Sequence, residues 1–140
     1  MKERTLGILK PDCIQKRLTG KVIDHLLEAD FKIIAMKLVR LTRKAAGEFY
    51  AVHKDLPFYE GLLDFMTESE VIVFVLEKEN AIDELRNIIG STDPAKAKDG
   101  TIRKLYADNT RNNIIHASDS NENARKEIMF FFSALELIEN

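Results

Sequence analysis

The fold is decided by the run Val71–Leu76, which reads VIVFVL. Its residues are continuously apolar and mostly β-branched, a pattern typical of a strand that is covered on both faces at the centre of a sheet. It is also the longest clean apolar run of the chain, and it is far too short to span a bilayer. The run therefore predicts a central strand in a protein that is not embedded in a membrane.

Three further strands are expected around this run. Arg4–Leu9 is rich in leucine and β-branched residues, and it is followed by Pro11, which cannot donate a ladder hydrogen bond. Phe31–Leu41 is a longer apolar stretch, and Asn113–Ala117 is a short one that follows a polar region. Together with the central run they predict a four-stranded sheet.

The two intervals between the first three predicted strands carry helical patterns. Apolar residues recur on one helical face after Thr19. Thr42 is expected to cap a polar helix that runs to Tyr50, and Pro57 is expected to open another short helix. One interval therefore holds one helix and the next holds two.

The second half of the chain shows a helix, a long loop and a last helix. Asn80 is a good N-cap residue and Gly90 a good helix terminator. From Gly90 to Asn112 the periodicity vanishes, so this segment is either a functional loop or holds elements that the pattern does not show. Asn121 is expected to cap the last helix, whose apolar side comprises Ile128, Phe131, Phe132, Leu135 and Ile138.

The element order β-α-β-α-α-β-α-β-α contains a βαββαβ core. Such a core usually forms a four-stranded antiparallel sheet with helices on one face, the ferredoxin-like arrangement. The prediction is thus an α+β fold, an α/β sandwich with additional helices. At 140 residues the chain is expected to form a single domain, 1–140.

Composition and charge exclude several classes of protein. With 21 basic and 23 acidic residues the formal charge is −2, so nucleic acid is not expected as the main ligand. Cys13 is the only cysteine, which excludes an internal disulfide and is typical of a reducing compartment. No signal peptide is evident near the N-terminus, and a soluble, cytoplasmic protein is expected.

The histidines are the first candidates for chemistry. His25 lies within a predicted helix and His53 follows one, so both have ready structural roles. His116 ends the last predicted strand beside small and polar residues, where it is either a structural residue or a nucleophile.

Four polar or aromatic positions accompany His116. Arg86 falls within the apolar arc of its helix, so it either snorkels or meets a buried anion. Arg103 belongs to a solvated loop or binds phosphate oxygens, and Lys10 is either a strand-end gatekeeper or a ligand contact. Phe58 is a packing residue or a ligand platform. Neither a P-loop nor a Rossmann fingerprint occurs, so together these residues indicate a phosphate site with an imidazole nucleophile.

A series of motifs in fixed order identifies a known family. The motifs are Glu3-Arg4-Thr5-Leu6, Lys10-Pro11-Asp12, Phe49-Tyr50, His53, Pro57-Phe58-Tyr59, Asn80-Ala81, Arg86, Gly90-Ser91-Thr92-Asp93-Pro94, Gly100-Thr101-Ile102-Arg103 and Asn113-Ile114-Ile115-His116-Ala117-Ser118-Asp119-Ser120. In this order and spacing, the chain closely resembles nucleoside diphosphate kinases from about residue 3 to about residue 133.

The resemblance implies a reaction and a set of site residues. His116 would take the γ-phosphate from a nucleoside triphosphate such as ATP and pass it to a nucleoside diphosphate. This is a ping-pong reaction through phosphohistidine that maintains NTP and dNTP pools. Ser118 and Glu127 would orient the histidine, and Tyr50 would line the site. The positions implied to bind the nucleotide are Lys10, Phe58, Arg86, Thr92, Arg103 and Asn113.

The resemblance also implies which of these residues contacts the phosphates, the sugar and the base of the nucleotide. Lys10, Arg86, Thr92 and Arg103 match phosphate contacts. Lys10 and Asn113 match contacts to the sugar hydroxyls, and the base would stack on Phe58. Mg²⁺ is expected to bridge the phosphates with little direct protein ligation. A homo-oligomer built from dimers is implied, with a hexamer favoured over a tetramer.

The chain departs from the family pattern at several positions. Ala117 and Cys13 stand where glycine is usual, Asp99 replaces a proline, and Lys104-Leu105-Tyr106 replaces a Gly-Asp-Phe triplet. These departures bear on loop geometry and assembly, because the implied catalytic positions are all present. Strict strand alternation would also put Asn113 and His116 on opposite faces, so the backbone is expected to bend or to leave the strand between them.

Two rival functions belong to other classes. A non-catalytic nucleotide-binding scaffold would keep the fold without turnover, and a phosphohistidine donor would act on proteins. The retained phosphate-binding positions, Arg86 above all, disfavour the scaffold. Turnover that depends on a nucleoside diphosphate would separate the three.

Overall fold

The computed structural model describes residues 2–139, which form a sheet with helices packed against it. The strands are β1 Lys2–Leu9, β2 Lys32–Val39, β3 Val71–Glu79 and β4 Ile115–Ala117. The α-helices are α1 Pro11–Gln15, α2 Thr19–Glu28, α3 Arg43–Phe49, α4 Tyr59–Thr67, α5 Ala81–Ile89, α6 Ile102–Tyr106 and α7 Asn121–Phe131. Short 3₁₀ helices cover Ala51–His53, Pro94–Lys96 and Ala134–Glu136.

The sheet confirms the predicted fold class. Over residues 2–139 it has four strands in the order β2-β3-β1-β4, and each neighbouring pair is antiparallel. In the register of β1 and β3, Leu6 lies opposite Val75. In the register of β1 and β4, Ile8 lies opposite His116, so the candidate nucleophile is fixed beside the buried first strand.

Both faces of β3 are covered, as its apolar run predicts. Val73 and Val75 face a core formed with α3, α4 and α7, whereas Phe74 and Leu76 face a core formed with α2, α5 and α6. The additional helices therefore cover the sheet face that the predicted ferredoxin-like core leaves open. Within residues 2–139 no helix is long and apolar enough to cross a membrane.

The predicted N-cap position of α5, Asn80, is confirmed, whereas the predicted starts of α7 and α4 are wrong by one and two residues. Asn80 stands at the start of α5 in a left-handed conformation without a side-chain cap bond, and Glu3 Oε1 instead accepts from the Ile82 N–H at 3.2 Å. Ser120 rather than Asn121 caps α7, by accepting from a backbone N–H at 3.1 Å. The α4 helix begins two residues after Pro57.

The apolar pattern also overextends the last helix. The α7 helix ends at Phe131, and Leu135 and Ile138 lie in the segment beyond it, 98% and 56% exposed. Spacing alone continued the helix because these residues fall at helical intervals. The predicted caps at Thr42 and Gly90 are confirmed. Thr42 Oγ1 accepts from the Ala45 N–H, and Gly90 has a φ of +93° at the end of α5.

The predicted loop from Gly90 to Asn112 is wrong in part. It contains the 3₁₀ turn Pro94–Lys96 and the α6 helix, which Thr101 caps by accepting from the Lys104 N–H at 3.3 Å. The α1 helix after β1 is likewise not predicted from the sequence. Five-residue helices complete little more than one turn, so they show no apolar periodicity.

Candidate functional site

The centre of the site is the side chain of His116. Its Nε2 lies 2.8 Å from Glu127 Oε1, and Ser118 Oγ donates to the same oxygen at 2.9 Å. A carboxylate only accepts hydrogen bonds, so Nε2 is the donor, and in the neutral imidazole the lone pair is then on Nδ1. The structure thus brings the three residues together in one hydrogen-bonded group, with Nε2 as the histidine atom that contacts Glu127.

A cavity of about 600 Å³ opens in front of this histidine. Its wall includes Tyr50, Arg86 and Asp119 as well as His116 and Glu127. Both the histidine and glutamate side chains are one-fifth exposed, so incoming groups reach the ring while the protein holds it. The cavity therefore offers a cation next to an accessible imidazole.

Tyr50 closes the inner side of this cavity. It is buried, its ring meets the His116 ring edge-on at 6.4 Å, and its hydroxyl has no hydrogen-bond partner within residues 2–139. Burial raises the pKa of Tyr50, and the nearby Glu127 charge adds to that effect. The phenol consequently stays protonated and keeps a hydrogen bond to donate.

Arg86 corrects one sequence interpretation. The buried face of α5 consists of Ala81, Ile82, Leu85 and Ile89, whereas Arg86 is exposed and borders the cavity. It is therefore not buried within the apolar stripe, and it lies where an anion bound near His116 would meet it. Its charge helps lower the pKa of Asp119, after the larger effect of the bond from Asn123.

A second cavity of about 660 Å³ shares Arg86 and Ala117 with the first. Thr92 and Arg103 belong to its wall, together with Lys96 and Lys98. Burial and the Arg86 charge lower the pKa of Arg103 to about 10, so its guanidinium is still charged at neutral pH. This cavity is suited to the phosphate oxygens of a ligand.

The Arg103 side chain also donates hydrogen bonds to three backbone carbonyls. It donates to the carbonyl of Asn113 at 3.2 Å, to that of Gly90 at 3.1 Å and to that of Ile115 at 2.7 Å. A guanidinium has five N–H groups, so two remain for a ligand after these contacts. The resemblance predicted a phosphate contact for Arg103 and did not predict these three hydrogen bonds to the backbone.

Lys10 and Asn113 are joined directly. Lys10 Nζ donates to Asn113 Oδ1 at 2.7 Å, and both side chains are buried. Burial, together with the Arg103 charge, lowers the pKa of Lys10 from 10.5 to about 8. The bond therefore fixes the direction of both polar groups.

The backbone between Asn113 and His116 bends, as the alternation argument requires. Ile114 has a φ of +78°, and the Ile115 N–H donates to the Asn113 carbonyl at 2.9 Å. A bond between residues i+2 and i around a positive φ defines a γ-turn of the rare, strained kind. The turn breaks the alternation, so β4 begins only at Ile115.

A third cavity of about 540 Å³ shares Thr92 with the second. Phe58 and Lys10 belong to its wall, and Phe58 is 46% exposed. His53 lies 5.4 Å from the Phe58 ring and also lines the cavity of His116, so it is nearer to the site than the sequence indicated. His25 lies in α2 and borders none of the three cavities.

The segment 109–112 forms the other wall of this third cavity. Asn109 Oδ1 accepts from the Arg111 and Asn112 N–H groups at 2.9 and 2.8 Å. The Arg111 guanidinium lies against α4, where a Cβ on Gly61 would stand 2.6 Å from its Nη2. No sequence pattern predicts this contact, because it joins residues that are fifty positions apart.

The departures from the family pattern are accommodated. Ala117 pairs with Gly7 in the sheet and does not have a positive φ, so the position requires no glycine. Cys13 is fully buried, and burial raises the pKa of its thiol to about 12. Lys104 and Tyr106 lie in α6, and Asp99 is exposed before Gly100.

Comparison with known proteins gives one consistent result. Residues 3–137 match the model of a family described as nucleoside diphosphate kinase. The nucleoside diphosphate kinase of Chlorobium chlorochromatii is 57% identical over 136 residues, 97% of each chain. The Aquifex aeolicus enzyme structure superposes with a TM-score of 0.96 at 44% identity, covering 99% of this chain and 100% of that one.

A third similar protein was solved with a nucleotide. The nucleoside diphosphate kinase of Halobacterium salinarum in complex with CDP has a TM-score of 0.95 and 35% identity. The match covers 100% of this chain and 93% of that one. Its sequence is the more distant of the two solved structures, yet the fold is nearly the same.

Proposed function

The chain belongs to the nucleoside diphosphate kinase family, and on that premise we propose that His116 is the residue that carries the phosphate. The enzyme transfers the γ-phosphate of a nucleoside triphosphate reversibly to a nucleoside diphosphate. The observation that supports His116 is its bond to Glu127, which leaves Nδ1 free in a cavity beside Arg86.

Each half of the reaction is a displacement at phosphorus. The Nδ1 lone pair of His116 forms the new N–P bond while the bond from the γ-phosphorus to its bridging oxygen breaks, and the diphosphate leaves. The Nε2 proton stays on the ring, and the Glu127 carboxylate stabilises the positive charge that develops there. The second diphosphate reverses these steps.

Charge neutralisation is assigned to four side chains. Phosphoryl transfer depends mainly on positioning and on compensating the oxygen charges. Arg86, Arg103 and Lys10 supply the cations, and the hydroxyl of Thr92 adds a donor where two of the cavities meet. Arg103 would use the N–H groups that its three backbone contacts leave available.

The divalent ion is proposed to enter with the nucleotide. No group of three or more His, Cys, Asp or Glu in the stretch 2–139 is arranged to hold a metal. The cavity walls are instead rich in cations, which suit phosphate oxygens rather than Mg²⁺. Phosphate oxygens would therefore hold the Mg²⁺, which would supply further charge neutralisation.

The sugar and the base are both assigned to the third cavity. Lys10 lines the cavity and is bonded to the buried Asn113, and this fixed pair would meet the sugar hydroxyls. Phe58 offers an exposed ring face on which a base would stack. Any nucleobase presents such a face, so the site would accept all the natural bases.

We also propose that residues 1–140 form one catalytic domain that acts in the cytoplasm as a homo-oligomer built from dimers, as a hexamer rather than a tetramer. The sheet leaves β2 at its edge, with Met36 and Leu38 exposed at 48% and 65%. An exposed apolar edge strand is typical of a surface that pairs with another chain. Light scattering of Leu38→Glu against the unchanged protein would test the dimer.

The proposed chemistry is tested by isolating the intermediate. Incubation with ATP and Mg²⁺ should leave an acid-labile, alkali-stable phosphate, and peptide mapping should place it on His116. A coupled assay should then show turnover that depends on the nucleoside diphosphate. Label without turnover would indicate a phosphohistidine donor to proteins. Absence of both label and turnover would indicate a non-catalytic scaffold.

A further inference from the structure

The Lys10-Pro11-Asp12 motif contains a carboxylate that the reaction described above does not use. Asp12 lies in α1 and is only 3% exposed. A buried carboxylate needs a compensating partner, and burial raises the pKa of Asp12. Its partner lies across the fold: Asp12 Oδ2 accepts from the backbone N–H of Ile114 at 3.1 Å.

That N–H belongs to the strained residue of the γ-turn. Ile114 is fully buried and β-branched, the kind of residue that least favours a φ of +78°. Such a conformation persists only where the surroundings fix it. Its amide has no place in a regular ladder, so without an acceptor it would be buried and unpaired.

The backbone N–H and the backbone carbonyl of Ile114 both bond to one short stretch of chain, residues 10–12. The Ile114 carbonyl accepts from the Lys10 N–H at 2.9 Å, while the Ile114 N–H donates to Asp12. Lys10 Nζ in turn donates to Asn113 Oδ1. Residues 10–12 therefore hold the backbone of the turn and the side chain that precedes it.

The turn determines which residues face the nucleotide. Asn113 and His116 are three positions apart, and a regular strand would put them on opposite faces. The γ-turn removes this alternation, so Asn113 joins Lys10 while His116 joins Glu127. We infer that Asp12 is a positioning residue that holds this turn, and that it thereby aligns the sugar contacts with the nucleophile.

This inference rests on the proposed roles of His116, Lys10 and Asn113, and it predicts a specific loss. In Asp12→Ala the Ile114 amide loses its acceptor and the turn relaxes. We expect kcat/KM for a natural diphosphate to fall about 10–100-fold, the size typical of lost orienting contacts. Discrimination against a 3′-deoxy diphosphate should fall from about tenfold or more towards onefold, because the sugar contacts move.

Asp12→Asn separates geometry from charge. The amide oxygen has the same shape and can accept from the Ile114 N–H, whereas the negative charge is gone. Retention of most activity and of the 3′-hydroxyl discrimination would support the inference. If Asn and Ala lower both quantities equally, a hydrogen-bond acceptor is not what the position supplies, and the inference is overturned.

Cys13→Ala is the matched control, because Cys13 lies next to Asp12 in α1, is fully buried and is outside the site. It should lower thermal stability without changing the 3′-hydroxyl discrimination. Discrimination lost equally in Cys13→Ala would show a general effect of loosening α1 and would overturn the inference.

The unchanged protein distinguishes the two levels of failure. Absence of label on His116, or of discrimination in the unchanged protein, would contradict the proposed function. Normal label and discrimination in the unchanged protein, both retained in Asp12→Ala, would contradict only the role of Asp12. Single-turnover phosphorylation by ATP gives the label rate separately from sugar binding.

Discussion

The two ends of the proposed nucleotide site differ in how much of their geometry is fixed before a ligand binds. The inner end is defined here by Lys10, Asn113 and Glu127, each of which has a hydrogen-bond partner that sets the direction of its polar atoms. At the outer end, Phe58 is nearly half exposed and faces the exposed segment 109–111. Reaction requires aligned atoms, whereas stacking tolerates a range of ring positions. Substitutions should therefore cost most at the inner end.

The largest effect is expected at the nucleophile itself. His116→Ala removes the only atom proposed to bond to phosphorus, so kcat should fall roughly 10⁴-fold or more in the coupled assay. His25→Ala is the control, since His25 lies in α2 away from the three cavities. Phosphate label that persists in His116→Ala would move the chemistry to another residue.

A smaller loss is expected at the residue that orients the histidine. Glu127→Gln should lower kcat about 10–100-fold with little change in KM, because the amide supports the tautomer and its charge less well. Glu122→Gln on the same helix is the matched control, since Glu122 is exposed and pairs with Lys126. A change confined to KM would mean that Glu127 contacts the substrate instead.

The outer end should show a weak preference among bases. Stacking on Phe58 reads no donor or acceptor pattern, so kcat/KM for the five natural bases, ribo and deoxy, should vary by about one to two orders of magnitude at most. Removal of the 3′-hydroxyl should cost more than a change of base. Rates for the natural diphosphates and a 3′-deoxy analogue test this, and a preference above about a thousandfold for one base would contradict it.

Lys10 provides a pH test of the inner end. Its pKa falls from 10.5 to about 8 on folding, chiefly through burial. Above pH 8 the folded protein loses a proton that the unfolded chain keeps until about pH 10.5. The free energy of unfolding should therefore rise with pH in this window, by up to about 1.4 kcal/mol per pH unit.

Activity should move the opposite way over the same window. A neutral Lys10 no longer compensates phosphate charge, so kcat/KM should fall about tenfold for each pH unit above the pKa. Lys10→Met is the reference, because it cannot titrate at this position. Denaturant unfolding and steady-state rates between pH 8 and 10 that run parallel in the two proteins would contradict the assignment.

Local patterns in the sequence determined the architecture and the identity of the chemistry. The run Val71–Leu76 predicts the central strand because apolar burial on both faces leaves a continuous signature, and Thr42 and Gly90 mark helix ends through bonds to near neighbours. The motif around His116 identifies the family. The α1 and α6 helices were not predicted, because a helix of little more than one turn shows no apolar periodicity.

The alignment of the site was decided only by the tertiary structure. Lys10 and Asn113 are 103 residues apart in sequence, and Asp12 and Ile114 are 102 apart. Neither partner carries a local sign of the other. They meet because β1 pairs with β4, and this pairing brings the end of one strand to the start of the other. Strand alternation predicted that the backbone bends or leaves the strand between Asn113 and His116, but the carboxylate that contacts the turn at Ile114 follows from the packing of α1.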